Sequence, residues 1–172
     1  IYAQHVDDAK IGSSTGSIVP ELLKSINCPG SLINHSEKRI PLEEIEKLIM
    51  RFRDLELTSL VCAQSIDEVE SIAKLKPDII AIEPPELIGS GRAVSKVNPK
   101  IISDSVDTVK SITSEVDVLC GAGIMTGEDV SIALELGSKG ILIASGIIKS
   151  NNWKNKIIEL ATPITTHLSS KS

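Results

Sequence analysis

The chain has 172 residues, 41% of them hydrophobic but only 2% aromatic, and a formal charge of −5. That length suffices for one domain with a sizeable aliphatic core. Lysines and arginines are scattered among acids, which argues against a nucleic-acid or anionic-lipid surface, and no apolar run approaches the roughly 20 residues of a membrane span. Cys28, Cys62 and Cys120 are odd in number and far apart, with no C-x-x-C spacing. They read as buried thiols of a reducing compartment. No signal peptide is visible ahead of the strand-like run at residues 1–6, so a cytoplasmic protein is expected.

Strand-like runs and helical patterns alternate along the chain. Residues 1–6 predict the first strand. A small polar loop follows, Gly12-Ser13-Ser14-Thr15-Gly16, then a short helix opened by Pro20. Residues 31–34 predict a second strand. His35-Ser36-Glu37-Lys38-Arg39 leaves it and reads as a first helical turn. A stronger helix begins near Pro41, where Leu42, Ile45, Leu48, Ile49 and Phe52 recur every three or four residues. Residues 57–62 predict the third strand. Ser65 and Glu68 predict a capping box for a helix that stops at Pro77. Residues 79–82 are the fourth strand. Asn98-Pro99 predicts a helix start, by cap and N1 proline. Residues 116–120 are the fifth strand. A helix begins at Thr126 and ends at Gly137, and residues 140–144 are the sixth strand. The last helix covers residues 153–161. The expected domain is residues 1–162, with residues 163–172 a polar, loose tail.

Six β-then-α units of this kind imply a parallel α/β sheet. No G-x-G-x-x-G follows the first strand and no phosphate-binding G-x-x-x-x-G-K-[ST] occurs. The polar residues with chemical character stand after different strands, which favours a barrel, whose loops converge on one mouth. An eight-unit barrel needs about 200 residues or more, so this chain is short by roughly two units.

Glu83 ends the apolar strand Ile79-Ile80-Ala81-Ile82 and is followed by Pro84-Pro85, an apolar tip Leu87-Ile88, and Gly89-Ser90-Gly91. A stiff base and a glycine-rich far end suit a closing lid over a carboxylate base. The plainer reading is an acidic surface loop. His35 follows a strand end; backbone N–H groups aimed at its ring favour a neutral imidazole that donates a hydrogen bond. The plainer reading is a solvated surface histidine. Gly121-Ala122-Gly123 and Ala144-Ser145-Gly146 end consecutive strands, as the paired phosphate loops of barrels do. His5 and His167 have no partner at ligand spacing.

Together, Asn34-His35-Ser36-Glu37-Lys38-Arg39, the stretch from Ile82-Glu83-Pro84-Pro85 through Gly91, Cys120-Gly121-Ala122-Gly123-Ile124 and Leu142-Ile143-Ala144-Ser145-Gly146 resemble triosephosphate isomerase in its short archaeal form. The resemblance spans residues 1–161 and includes Gln4 and the Gly12 to Gly16 loop. It implies a (β/α)8 TIM barrel, of which the six units here are the third to the eighth. It implies His35 as catalytic electrophile and Glu83 as catalytic base. It implies Ile88, Gly89, Gly123, Ala144 and Ser145 as substrate contacts, and Glu37 as the acid beside a catalytic lysine. The implied reaction interconverts dihydroxyacetone phosphate and glyceraldehyde 3-phosphate through an enediolate, in glycolysis and gluconeogenesis, with no metal or organic cofactor. The lid would exclude water from that intermediate. The implied assembly is a homodimer or homotetramer through the Gly12 to Gly16 loop. One departure stands out: the family's Asn-x-Lys at its first strand is not matched, and Lys38 and Lys149 lie on other units. The expectation is an N-terminally shortened isomerase, inactive by itself. The alternatives are a non-catalytic phosphate-binding or assembly fragment, and another sugar-phosphate barrel enzyme.

Overall fold

The computed structural model describes residues 1–85 and 97–169. Five strands form one parallel sheet: β1 (Gly30–Ile33), β2 (Thr58–Ala63), β3 (Ile79–Ile82), β4 (Asp117–Cys120) and β5 (Gly140–Ile141). Helix α1 (Pro20–Ser25) precedes β1. Helices α2 (Leu42–Asp54), α3 (Ile66–Ala73), α4 (Pro99–Ile112) and α5 (Gly127–Glu135) fill the successive crossovers, and α6 (Ser145–Ile148) and α7 (Trp153–Ser169) follow β5. The spatial order is β1-β2-β3-β4-β5. Strand order equals chain order, so every crossover steps the same way. A doubly wound sheet reverses its order at a switch point. This sheet does not reverse, and it is consistent with part of a TIM barrel.

Side-chain alternation sorts the strand residues between two faces. Val61, Ala63, Ile80, Ile82 and Val118 pack into one core with helical residues such as Leu48, Phe52, Val69 and Val109. Leu60, Cys62 and Ala81 form a separate cluster with Leu32, Ile79, Leu119 and Leu142, all from strands or strand ends. One face therefore carries helices while the other packs strand against strand, as a barrel interior does. Phe52, the chain's single phenylalanine, is fully buried on the helical side. Truncating such a ring to alanine costs about 3–5 kcal/mol.

The structure corrects several expected elements. Residues 1–6 are not a strand: Ala3 alone bridges to Ser31, donating to the Gly30 carbonyl (2.9 Å) and accepting from Leu32 N–H (2.9 Å). The chain then turns away, because Asp7 N–H bonds the Ile18 carbonyl (2.7 Å) and Val6 enters the core. The sixth predicted strand is cut to Gly140–Ile141, since Ser145 turns into α6. Five strands and one bridge thus stand where six strands are predicted. Residues 35–38 form a turn, with Lys38 N–H donating to the His35 carbonyl (2.8 Å), and no helix starts there. Ser65 caps α3 as expected, but Glu68 reaches Gln64 N–H (2.6 Å) in place of its own cap residue. Asn98 makes no side-chain cap bond.

The expected loose tail is helical as far as Ser169. Pro163 sits inside α7 and cannot donate to the Glu159 carbonyl four residues back. Gly127 lies against that carbonyl instead, so closely that an added Cβ would stand 2.8 Å from it. Hydroxyls of Thr162, Thr165, Thr166 and Ser169 bond carbonyls three or four residues back, and Ile164 packs on the core beside α5. Those contacts hold the helix through its proline.

Candidate active site

Glu83 follows Ala81 by two residues and so shares its strand-only face. Its N–H donates to the Ala63 carbonyl (2.8 Å), which extends the β2–β3 ladder one step beyond the strand. The residue is 5% exposed, and its Oε2 is buried with no hydrogen-bond partner. Buried carboxylate oxygens are almost always bonded, so an orphan calls for an explanation. His35 supplies the nearest charged or polar ring: its Nε2 lies 3.8 Å from Glu83 Oε2. That is beyond a hydrogen bond.

The imidazole is oriented by the turn that carries it. Glu37 N–H donates to His35 Nδ1 (3.3 Å), which requires a lone pair there and leaves the ring proton on Nε2. One backbone donor thus does what the expected helix end was to do. The Glu37 carboxylate itself is largely exposed, 3.9 Å from Nδ1.

Gly121 makes room for the acid. Its N–H donates to the Ile82 carbonyl (3.0 Å), and an added Cβ would stand 2.5 Å from Glu83 Cγ and 2.9 Å from Oε1. Next, Ala122 (φ 67°) and Gly123 (φ 72°) both lie in the left-handed region. A non-glycine residue there is strained, and such strain gathers at functional sites. Asp129 fixes the far end of this loop, accepting from Met125 N–H (3.0 Å) and Thr126 N–H (2.9 Å). The second small-residue loop packs onto the first through Gly146, whose added Cβ would meet the Ile124 carbonyl at 2.8 Å. Ser145 opens α6, and the first N–H groups of a helix have no partner within it.

A cavity of about 530 Å³ joins these parts, lined by His35, Glu37, Glu83, Gly123, Ala144 and Ser145 among others. Six sequence-predicted residues from four strand ends therefore share one pocket. Ile88 and Gly89, with the rest of the predicted lid beyond Pro85, lie outside the described residues. Gln4 and Leu142 also line the cavity, and no lysine or arginine does among the described residues. Lys38 turns instead to Asp7 (3.5 Å). His5 bonds Asp7 (2.8 Å), which gives it a structural partner. Sequence reasoning missed Gly121 as space for Glu83; the signal was its place directly after a strand, opposite the acid in the next ladder. It also missed Asp129, legible as the fourth residue of a Thr126 capping box.

Two cysteines flank the site from within the sheet. Burial pushes the Cys62 thiol up, and the Glu83 charge adds to that. Burial likewise pushes Cys120 up to about 12, with Asp129 and Glu83 contributing. Both are closed to thiolate chemistry near neutral pH. Among the described residues no group of three or more His, Cys, Asp or Glu could hold a metal ion, and no helix is long and apolar enough to cross a membrane.

Fold and pocket together describe an α/β enzyme whose site lies at the carboxyl ends of parallel strands. The fold recurs in a thiamine phosphate pyrophosphorylase from Pyrococcus furiosus (TM-score 0.64, 14% identity, 86% of this chain and 65% of that one). It recurs also in the BexX/CysO complex of Amycolatopsis orientalis (TM-score 0.64, 14% identity, 87% and 59%). This chain thus spans under two thirds of either solved chain. Residues 1–161 match the triosephosphate isomerase family. The triosephosphate isomerase of Methanocaldococcus jannaschii is 50% identical over 160 residues, 93% of this chain and 73% of that protein. That of Sulfurisphaera tokodaii is 52% identical over 159 residues, 92% and 69%. The chain belongs to the triosephosphate isomerase family, and its chemistry is that of an isomerase.

Proposed function

We propose that His35 and Glu83 interconvert dihydroxyacetone phosphate and glyceraldehyde 3-phosphate. The observation that carries this reading is the orphaned Glu83 oxygen, dry and 3.8 Å from His35 Nε2 at the wall of one cavity. Glu83 takes the proton α to the substrate carbonyl. The Nε2–H of His35 donates to the carbonyl oxygen as charge develops there, and the ring moves the hydroxyl proton. Glu83 returns its proton to the neighbouring carbon. Backbone N–H groups of Gly123, Ala144 and Ser145 hold the phosphate; by sequence, Ile88 and Gly89 join them. No metal or organic cofactor takes part. The barrel is the eight-unit one, of which this chain supplies the third to the eighth units.

The enediolate transition state carries negative charge beside a phosphate, yet the described cavity lining holds no cation. By the family resemblance that charge is met by the lysine of the Asn-x-Lys motif, which this sequence does not match, with Glu37 as its neighbour. The chain by itself is inactive on this reading, and the active species is a homodimer or homotetramer docked through the exposed Gly12 to Gly16 loop. The reaction belongs to glycolysis and gluconeogenesis in the cytoplasm. The unmatched Asn-x-Lys motif favours a second reading, phosphate binding without turnover. A coupled isomerase assay separates them: the protein with an upstream Asn-x-Lys segment turns over, and His35→Gln lowers its kcat about a hundredfold. Phosphate binding with no turnover in the longer protein would establish the second reading instead.

A further inference from the structure

His35 rides on a loop whose two ends are tied together by the residue before it. Asn34 ends β1 in the left-handed region (φ 61°) and is 1% exposed. Among the described residues, the other non-glycine residues in that region outside the Gly121 loop, Asn27, Glu56 and Lys76, are all exposed. Asn34 is buried and every polar atom of its side chain is bonded. Its Nδ2 donates to the Cys62 carbonyl on β2 (2.9 Å) and, more weakly, to Glu68 Oε1 on α3 (3.5 Å). Its Oδ1 accepts from Ile40 N–H (3.0 Å), at the far end of the loop. Its backbone carbonyl accepts from Arg39 Nη1 (3.0 Å), and that guanidinium also meets Glu68 (3.5 Å) and Gln64 (3.3 Å). Residues 35–39 are therefore a closed loop, clamped at its neck and anchored to the neighbouring strand.

We infer that Asn34 is the positioning residue that fixes the orientation and tautomer of the His35 imidazole. The Glu37 N–H to Nδ1 bond is made inside the clamped loop, and at 3.3 Å it has little reach to spare. If the neck opens, that bond is lost, the proton is free to reside on either nitrogen, and Nε2 drifts from its place opposite Glu83. Glycine would satisfy the backbone at position 34 more easily than asparagine does. Asparagine is used there for its side chain, which reaches three places a glycine cannot.

The inference rests on the role of His35 proposed above, and the test separates the two. In the catalytically competent protein that carries this chain, Asn34→Gly keeps the backbone freedom and removes the clamp. It should lower kcat tenfold or more with KM within threefold, because substrate contacts are untouched and a catalytic donor is misplaced. ¹⁵N–¹H spectra of the histidine-labelled parent should show His35 as one tautomer, protonated at Nε2. In Asn34→Gly the two ring nitrogens should move toward averaged values. A folded Asn34→Gly enzyme whose kcat falls less than threefold overturns the inference. So does a large loss of turnover with unchanged His35 resonances. Should Asn34→Gly not fold, Arg39→Gln opens the same neck from the other side and is judged by the same readings. If His35→Gln itself retains full turnover, the catalytic reading fails, while the spectra still judge the clamp.

Discussion

The two ends of this sheet treat a carboxylate in opposite ways. At the amino ends of β2 and β3, Asp78 Oδ2 accepts from both the N–H and the hydroxyl of Ser59 (2.8 Å each), and Ser59 Oγ accepts from Asp78 N–H (3.0 Å). Arg53 is spent on the carbonyls of Leu75 and Lys76 nearby. At the carboxyl end of β3, Glu83 is more deeply buried, yet one of its oxygens bonds nothing. The difference teaches where to look for chemistry: satisfied polar groups hold the sheet, and the unsatisfied one marks the site proposed above.

Substitutions at the two ends test that contrast. Glu83→Gln should lower kcat about a thousandfold in an isomerase assay, with a melting midpoint equal to or above the parent's, because a buried, unpartnered carboxylate oxygen is removed. Near-parental turnover in a steady-state assay would end the catalytic reading of the orphan oxygen. Gly121→Ala should cost about ten- to a hundredfold in kcat with a smaller change in stability, since the new methyl displaces Glu83 from its place. A crystal structure of that variant with Glu83 unmoved would argue against the space-making role. Asp78→Ala should do the reverse, losing about 1–3 kcal/mol in urea melts, because the Ser59 N–H is left buried without an acceptor. Its kcat should remain within twofold; a larger fall would mean the two ends are not separate.

The smallest effect concerns pH. Burial raises Cys120 to about 12 from an ordinary value near 9. Above pH 9 the unfolded chain releases this proton while the folded chain keeps it, so stability falls as pH rises from 9 toward 12. The loss is about 1 kcal/mol by pH 10. Cys120→Ala should lessen that alkaline slope in urea melts taken between pH 8 and pH 10, the buried Cys62 thiol retaining its own share. An unchanged slope would show that the thiol ionises as readily in the fold as out of it.

The sequence made some elements plain and hid others, for physical reasons. Ile79 to Ile82 was readable to the residue, since four apolar residues are bounded by an acid pair and two prolines. The heptad-like repeat of Ile45, Leu48, Ile49 and Phe52 gave α2, although Leu42 lies on its exposed side. His35, Glu83, Gly123, Ala144 and Ser145 were legible as strand-end residues, and one pocket gathers them. The helical tail was not legible, because composition and Pro163 both argue for a break and the packing of Gly127 and Ile164 that opposes it is tertiary. Nor was the clamp at Asn34, which depends on Cys62 and Glu68, residues 28 and 34 positions away. Local pattern reports local partners; a buried asparagine reports distant ones.

Gly121 and Glu83 occupy a single volume shared across two strands. Neither position can drift first. A methyl at 121 pushes on the acid while it is still a glutamate, and a shortened acid at 83 leaves a void while 121 is still a glycine. Glu83→Asp together with Gly121→Ala should therefore be better tolerated than the sum of the single changes, a positive epistasis measurable in a double-mutant cycle.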